Sequence, residues 1–365
     1  YVEPGDVVQI RLNCKAGEES SMTISAGIMD DALFRQAYDV LSASTLQLTE
    51  FTGTKVEGTI DCNRDGILYT SIPQNGNWTA KVDGKDADIV LATDPDADRL
   101  GVYAKDTKTG EYVSFTGNMS GMLIAEYILR ERTATGTMPA NPALVTTIVT
   151  TNMTAPITEA YGVKLIEVLT GFKFIGEQIK LFEQTGSNNY VFGLEESYGC
   201  LAGTHARDKD AVVAVMCLCE VAAWCKKEGK TLYDMMLEVY EKYGYYKETQ
   251  YAITLKGIDG SKQIAAIMDK LRNNPPKNFG DLDVVRVRDY ENNKIVELAT
   301  GKEYETGLPK SNVLYFDLTN DSWCCARPSG TEPKIKFYMG VKGTNLADAE
   351  KKVEELTEAV KSNLD

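Results

Sequence analysis

Histidine is nearly absent from this sequence: 365 residues contain one, His205. C-x-x-C pairs are absent too. Eight cysteines occur, at 14, 62, 200, 217, 219, 225, 324 and 325, three of them in one apolar helical stretch. That usage reads as buried free thiols in a reducing cytosol. Cys14 and Cys62 would bridge if the first segment folded outside the cell. No run approaches the roughly 18 apolar residues of a membrane span, and no signal-peptide pattern opens the chain. A basic excess is missing as well: 39 Lys and Arg stand against 53 Asp and Glu, a net charge of −14. This argues against nucleic acid or an anionic membrane as a general partner, and any phosphate site must be a local basic pocket. The length allows two or three domains with a buried core.

The densest chemistry that is present lies at Thr93-Asp94-Pro95-Asp96-Ala97-Asp98-Arg99, after the apolar run Ile89-Val90-Leu91. A short buried strand, Ala87 to Ala92, would deliver this turn to the rim of an α/β sheet, where such sheets bind ligands. Carboxylates at i, i+2 and i+4 repel one another unless a cation neutralises them. All-oxygen ligation without nearby His or Cys suits Mg²⁺ rather than zinc. An acidic solvated turn is the plainer alternative. An EF-hand is excluded, because its Gly and Glu positions hold Arg99 and Lys105.

Four further segments suggest what a metal would serve. Arg327-Pro328-Ser329-Gly330-Thr331-Glu332-Pro333-Lys334 precedes the alternating strand Ile335 to Met339. A guanidinium fork, two hydroxyls and a glycine suit a phosphate, although Pro-Ser-Gly-Thr also makes ordinary hairpin turns. Gly193-Leu194-Glu195-Glu196-Ser197-Tyr198-Gly199 follows the strand Tyr190-Val191-Phe192 and offers carboxylates and a hydroxyl to a polyol. Its alternative is the start of a helix, which acidic residues also favour. Thr170-Gly171-Phe172-Lys173 and the charged Thr204-His205-Ala206-Arg207-Asp208-Lys209-Asp210 complete the set. Together they point to a phosphorylated, hydroxyl-rich small molecule near Mg²⁺.

With these four signatures in order (T-D-P-D-A-D-R, T-G-F-K, G-L-E-E-S-Y-G and R-P-S-G-T-E-P), residues 86–365 resemble the α-D-phosphohexomutase superfamily of phosphoglucomutases and phosphomannomutases. T-H-A-R-D-K-D looks most like the bacterial phosphoglucomutase or phosphopentomutase-like branches. The resemblance implies an intramolecular phosphotransferase converting hexose 1-phosphate to hexose 6-phosphate through a bisphosphorylated sugar, with a glucose 1,6-bisphosphate-type activator in the complete enzyme. It implies that Asp94, Asp96 and Asp98 hold Mg²⁺, with Arg99 in support. Thr170, Gly171, Lys173, Glu195, Ser197, Arg207 and Lys209 would bind the sugar phosphate, a hexose or pentose. Arg327, Ser329, Gly330 and Thr331 would bind its distal phosphate. The family carries its phosphoryl group on a serine of a T-A-S-H-N-P-type loop, and these 365 residues contain none. The expectation is binding without mutase activity for this chain alone.

The pattern from the metal loop onward alternates helices and strands. Helices fit Gly121 to Arg132, Met153 to Tyr161, Phe174 to Gln184, Ala211 to Trp224 and Leu232 to Tyr243; strands fit Ala143 to Thr150 and Lys164 to Val168. That is a βαβ series with a mostly parallel sheet. A second block starts at Tyr251 to Leu255, with a helix at Ser261 to Arg272, strands near Val284, Ile295, Leu314 and Ile335, and an amphipathic helix from Asn345 to Ser362. The expected fold class is an α/β phosphohexomutase-type domain plus a C-terminal α+β domain, preceded by a small mostly-β domain. The expected bounds are 1–85, a metal-loop remnant 86–112, a sugar-binding α/β domain 113–245 and a phosphate-binding domain 250–365, with a hinge at 244–249.

Residues 1–85 read differently. Strands fit Val7 to Leu12, Met22 to Ser25, Lys55 to Ile60, Ile67 to Thr70 and Trp78 to Val82, with a helix at Asp30 to Ser42 and turns at 63–66 and 74–77. The stretch Lys55 to Lys85 resembles the C-terminal extracytoplasmic β-domain of YfhO-like bacterial membrane proteins. That resemblance implies a junction near 84–88 and an extracytoplasmic origin for 1–85, against a cytoplasmic one for 86–365. A noncatalytic envelope-associated protein with a sugar-phosphate module is the alternative function.

Overall fold

The computed structural model describes residues 87–330 and 332–364, isolated helical residues Ala32, Arg35 and Asp39, and short strands between 47 and 86. The chain forms two compact units, 1–68 and 69–365. In the first, β1 (Gln47–Phe51) pairs antiparallel with β2 (Val56–Thr59), with an irregularity between Leu48 and Glu50. Strand β2 falls where Lys55 to Ile60 was expected, and the three helical residues fall within Asp30 to Ser42. Strand β1 was not anticipated. The expected strands at 7–12, 22–25 and 67–70, both turns, Cys14 and Cys62 lie outside the described residues.

The second unit opens with β3 (Lys81–Val82) paired to β4 (Lys85–Asp86), then an antiparallel meander. Its strands are β5 (Ile89–Thr93), β6 (Leu100–Lys105) and β7 (Tyr112–Phe115), in that order. This corrects the expected setting of the metal loop. The Asp-Pro pair starts a tight turn, with the Ala97 N–H donating to the Asp94 carbonyl at 3.0 Å, so the chain reverses directly into β6. A direct reversal gives antiparallel pairing, and β5 is half-buried along its whole length rather than enclosed in a parallel sheet.

The four-stranded sheet that follows has the order β11-β10-β8-β9, built from β8 (Pro142–Thr147), β9 (Lys164–Val168), β10 (Asn189–Glu195) and β11 (Gly199–Ala202). Strands β9, β8 and β10 are parallel, as the βαβ pattern implied, and β11 turns back on β10. Helices α1 (Gly117–Ala134), α2 (Thr154–Ala160), α3 (Phe172–Thr185), α4 (Ala211–Lys227) and α5 (Leu232–Tyr243) accompany it. Helix α1 begins four residues before the periodicity does, because Thr116 caps it by accepting from the Met119 N–H at 3.2 Å. The buried carboxylate of Glu126 ties α1 to α2 and α5, accepting from Tyr161 and Tyr243 hydroxyls at 2.8 Å each and from Lys242 at 3.1 Å.

The C-terminal sheet has the order β12-β19-β18-β17-β14-β15-β16, with β13 beside β14. Its strands are β12 (Tyr245–Thr254), β13 (Asn278–Phe279), β14 (Leu282–Asp289), β15 (Lys294–Glu297), β16 (Glu303–Tyr304), β17 (Leu314–Leu318), β18 (Ser322–Pro328) and β19 (Lys334–Gly343). Helices α6 (Gly257–Asn273) and α7 (Leu346–Ser362) pack on it around Phe316, Phe337 and Leu356. The stretch expected as a linker, 244–249, is mostly strand: β12 pairs with β19 from Tyr245 opposite Gly343 to Thr254 opposite Lys334. The other face of this sheet, with Tyr315, Trp323, Cys325 and Tyr338, shares an apolar cluster with Ile148, Val149 and Leu169 of the α/β layer.

Candidate functional site

The turn after β5 brings one carboxylate oxygen each of Asp94, Asp96 and Asp98 within 4.8 Å of one another. Backbone N–H groups of Asp98 and Arg99 donate to Asp94 Oδ1 at 3.1 and 3.0 Å. Burial pushes the Asp94 carboxyl up, yet these bonds outweigh it and hold the group below the usual range. Ala97 takes a positive φ of 54°, and its carbonyl accepts from the Ala211 N–H at 3.0 Å. The turn is therefore docked on the N-terminus of α4. Asp98 Oδ1 is buried and has no hydrogen-bond partner among the described residues. Arg99 Nε stands 3.6 Å from it, at ion-pair range only. A buried orphaned carboxylate oxygen beside two more carboxylates fits a hard divalent cation.

Lys209 connects this turn to the loop Gly193 to Gly199. Its ammonium lies 3.0 Å from Asp98 Oδ2 and 2.9 Å from Asp208 Oδ1, with the side chain only 11 % exposed. Burial opposes its charge, but the two carboxylates prevail and hold its pKa above the usual lysine value. It also acts electrostatically on Glu195 and stands 5.6 Å from the centre of the Phe172 ring. Gly199 makes this course possible: a Cβ there would sit 2.0 Å from Lys209 Cδ. Leu100 N–H donates to the Tyr198 carbonyl at 3.1 Å, a second tie between the two loops.

The loop Gly193 to Gly199 is a hairpin rather than a helix start. Strand β10 runs on through Glu195, which pairs with Gly199 of β11. Glu195 is buried, and its Oε1 accepts from the Gly171 N–H at 2.9 Å while Ser197 Oγ donates to Oε2 at 3.4 Å. Burial raises the Glu195 carboxyl above the usual range, partly offset by Lys209 and the Gly171 N–H. Gly171, at φ 124°, holds a conformation that favours glycine. Its neighbour Thr170 has a buried hydroxyl oxygen without a partner among the described residues. Thus T-G-F-K and G-L-E-E-S meet at Glu195, which Gly171 and Ser197 bond and Lys209 acts on.

Two further residues expected to line the site make other contacts as well. Arg207 donates to both oxygens of Glu183 at 2.7 and 2.6 Å, and to the carbonyls of Thr204 and Ala206. Lys173 is exposed, 4.8 Å from the ring centre of Phe174. His205 pairs with Asp210, the cap of α4, at 2.9 Å.

The loop after Arg327 joins β18 to β19 as a tight hairpin. Ser329 N–H donates to the Lys334 carbonyl at 2.7 Å and Ser329 Oγ accepts from Glu332 N–H at 3.3 Å. Arg327 and Lys336 are register partners on one face, with Cys325 and Tyr338 next along it. Gly330 is exposed, with open space around its Cα, and Thr331 lies outside the described residues.

Glu196, the second carboxylate of the Gly193 to Gly199 motif, faces a different set of groups. Thr147 Oγ1 reaches its Oε2 at 3.4 Å, and Thr147 also pairs with Thr150 at 2.8 Å. Burial and then Glu195 push the Glu196 carboxyl up to about 7, against the pull of Lys336 and Thr147. Nothing in the spacing of the motif marks it, because the facing groups come from β8 and β19. A groove of about 400 Å³ opens beside the metal loop, lined among others by Asp94, Pro95, Arg99, Tyr103, Ser114 and Tyr198. Its walls do not include Glu195, Ser197 or Arg327.

Known proteins match this arrangement in two segments. Residues 116–243 match the family described as phosphoglucomutase/phosphomannomutase, alpha/beta/alpha domain III, and residues 1–94 match the family described as bacterial membrane protein YfhO. The YfhO match does not identify which part of that family is present, and it reaches into the aspartate turn. Phosphoglucomutase of Staphylococcus aureus strain USA300 is 37 % identical over 267 residues, 73 % of this chain and 47 % of the relative. The protein of strain MRSA252 is 36 % identical over the same span. The chain thus spans about half the length of the curated relatives it matches. Among solved structures, the open form of the Paramecium phosphoglucomutase parafusin superposes with a TM-score of 0.50 at 18 % identity, covering 77 % of this chain and 47 % of that one, a likeness of fold. Among the described residues, no helix is long and apolar enough to cross a membrane. The α/β portion of this chain is similar to the phosphoglucomutases and phosphomannomutases, and residues 116–243 match their domain III.

Proposed function

We propose that residues 86–365 form the metal- and phosphosugar-binding part of a phosphohexomutase that interconverts hexose 1-phosphate and hexose 6-phosphate. One observation carries the reading: Lys209 joins the aspartate turn, through Asp98, to the buried Glu195 of the sugar loop. Two chemistries distant in sequence thereby share one ammonium group.

Asp94, Asp96 and Asp98 would hold Mg²⁺, which when bound would neutralise charge on a transferring phosphoryl group. Glu195 and Ser197 accept and donate to sugar hydroxyls, and the unpartnered Thr170 Oγ is free to join them. Gly171 fixes the Glu195 rotamer through its N–H, so the carboxylate is oriented before a sugar arrives. Arg327, Ser329, Gly330 and Thr331 form the distal phosphate loop, where a guanidinium fork gives bidentate recognition. A bisphosphorylated sugar of the glucose 1,6-bisphosphate type would be the activator of a complete enzyme. The proposed division is a metal-loop segment 86–112, a sugar-binding layer 113–245 and a phosphate-binding layer 250–365.

Mg²⁺ is expected to raise the melting temperature of the purified chain, and Asp96→Asn to abolish the rise. Because these 365 residues contain no T-A-S-H-N-P-type serine loop, they should not convert glucose 1-phosphate by themselves; measurable turnover would refute that part of the reading.

A further inference from the structure

The turn that joins β10 to β11 carries an unexpected residue. Glu195 pairs with Gly199, so Glu196, Ser197 and Tyr198 form a three-residue hairpin connection. The last residue of such a connection takes the left-handed conformation, which glycine fills without strain. Here a tyrosine fills it, at φ 69°, one position before Gly199. A bulky side chain in that region is an outlier, and the strain persists only where the surroundings over-determine it. Two neighbours do so here. The Tyr198 carbonyl accepts from the Leu100 N–H at 3.1 Å, which anchors it to the strand leaving the aspartate turn. Gly117, the first residue of α1, lies against the same loop: a Cβ there would stand 2.5 Å from the Tyr198 nitrogen and 2.3 Å from the Glu196 carbonyl oxygen.

The backbone is pinned, but the side chain is not packed away. Tyr198 is 43 % exposed. It lines the groove of about 400 Å³ beside the metal loop, together with Asp94, Arg99, Tyr103 and Ser114. No other residue of the loop that carries Glu195 and Ser197 reaches that wall. Hairpin stability alone calls for glycine or asparagine at this position; the ring is what tyrosine adds. We propose that Tyr198 is a specificity-determining residue of the phosphosugar site, its ring being the surface on which the C–H face of a pyranose packs. This rests on the phosphosugar reading above. A pyranose carries hydroxyls around its rim and C–H groups on its faces. Glu195 and Ser197 serve the rim, whereas an aromatic ring offers apolar area and a negative face to the C–H groups at little entropic cost. A bare phosphate has no such face, so the ring favours cyclic sugar phosphates over it.

Glucose 6-phosphate and inorganic phosphate are the probes, each titrated calorimetrically into the Mg²⁺-loaded chain. Tyr198→Gly is expected to bind glucose 6-phosphate about threefold to tenfold more weakly than wild type, the range of one aromatic contact. Its affinity for inorganic phosphate should not change. Its melting temperature should stay within about 4 °C of wild type, because glycine relieves the strained φ and offsets the lost ring packing. Tyr198→Phe, which restores the ring face, should recover the affinity for glucose 6-phosphate. Tyr198→Trp carries the test if the glycine variant does not fold: its emission should respond to glucose 6-phosphate beyond the wild-type response, and not to inorganic phosphate. Unchanged glucose 6-phosphate affinity in Tyr198→Gly, equal losses for both probes, or no added response in Tyr198→Trp overturns this inference and leaves the phosphosugar reading intact. Absence of glucose 6-phosphate binding by wild type overturns both.

Discussion

Lys209 concentrates the account in one side chain. Its ammonium stabilises Asp98 on one side and limits the pKa rise of buried Glu195 on the other. Replacing it with methionine should therefore move two affinities in opposite directions. Mg²⁺ should bind the less compensated aspartates about threefold to tenfold more tightly, since removing one nearby unit charge at this depth is worth on the order of 1 kcal/mol after solvent screening. Glucose 6-phosphate should bind at least tenfold more weakly. Parallel loss of both would mean that the substitution merely disrupts the fold. Glu196 makes a second prediction, on stability. Its pKa is about 7 in the folded protein, against an ordinary 4.5. Between those values the native state keeps a proton that the unfolded state loses, so this group's contribution to stability falls as pH rises from about 4.5 to 7 and then levels off. The melting temperature of wild type should drop relative to Glu196→Gln across that window; equal slopes would contradict it. At this scale the aspartates, Glu195 and Arg327 were legible because their loops are contiguous motifs. Glu196, the Lys209 bridge and the Arg207–Glu183 pair were not, because each depends on a partner from another element.

Elements explain how such distant loops meet. Helix α4 is the main clamp: its cap Asp210 accepts from Val213 N–H at 3.0 Å, its first residue holds the Ala97 carbonyl, and Asp210 N–H reaches Cys200 of β11 at 2.9 Å. Asp210→Ala should cost about 1 kcal/mol, in the usual range for a lost cap. For a unit of this size that lowers the melting temperature by roughly 2 to 4 °C. It should also weaken Mg²⁺ binding, because the aspartate turn loses its docked neighbour; unchanged Mg²⁺ affinity would show that the turn is rigid without α4. Helices with strong periodicity, such as Leu232 to Tyr243, matched the sequence reading residue for residue. Strands fared less evenly. Strand β6 alternates buried and half-buried positions, a pattern visible in Leu-Gly-Val-Tyr-Ala-Lys, yet it follows the aspartate turn so closely that it was not separated from it. Strand β12 starts six residues before its expected onset at Tyr251, because pairing to β19 fixes its length and local composition does not.

At the scale of the whole molecule, the second unit places two sheets so that their loops share one polar seam over a common apolar cluster. The alternation of helices and strands made the first layer legible, and the change of pattern near residue 250 announced the second. Their mutual packing was not legible, since Ile148, Val149 and Leu169 carry no periodic signal for a partner 150 residues away. In a chain of net charge −14, Lys209 acts on Glu195 and Lys336 on the adjacent Glu196, a local concentration of positive charge suited to an anion. The central claim is that this seam binds a phosphosugar beside Mg²⁺. Calorimetric titration of glucose 6-phosphate into the Mg²⁺-loaded chain tests it most directly, with Arg327→Ala and Glu195→Gln titrated alongside. Wild type is expected to bind saturably, one to one, and each variant at least tenfold more weakly. No saturable binding by wild type, or binding indifferent to both substitutions, would contradict it.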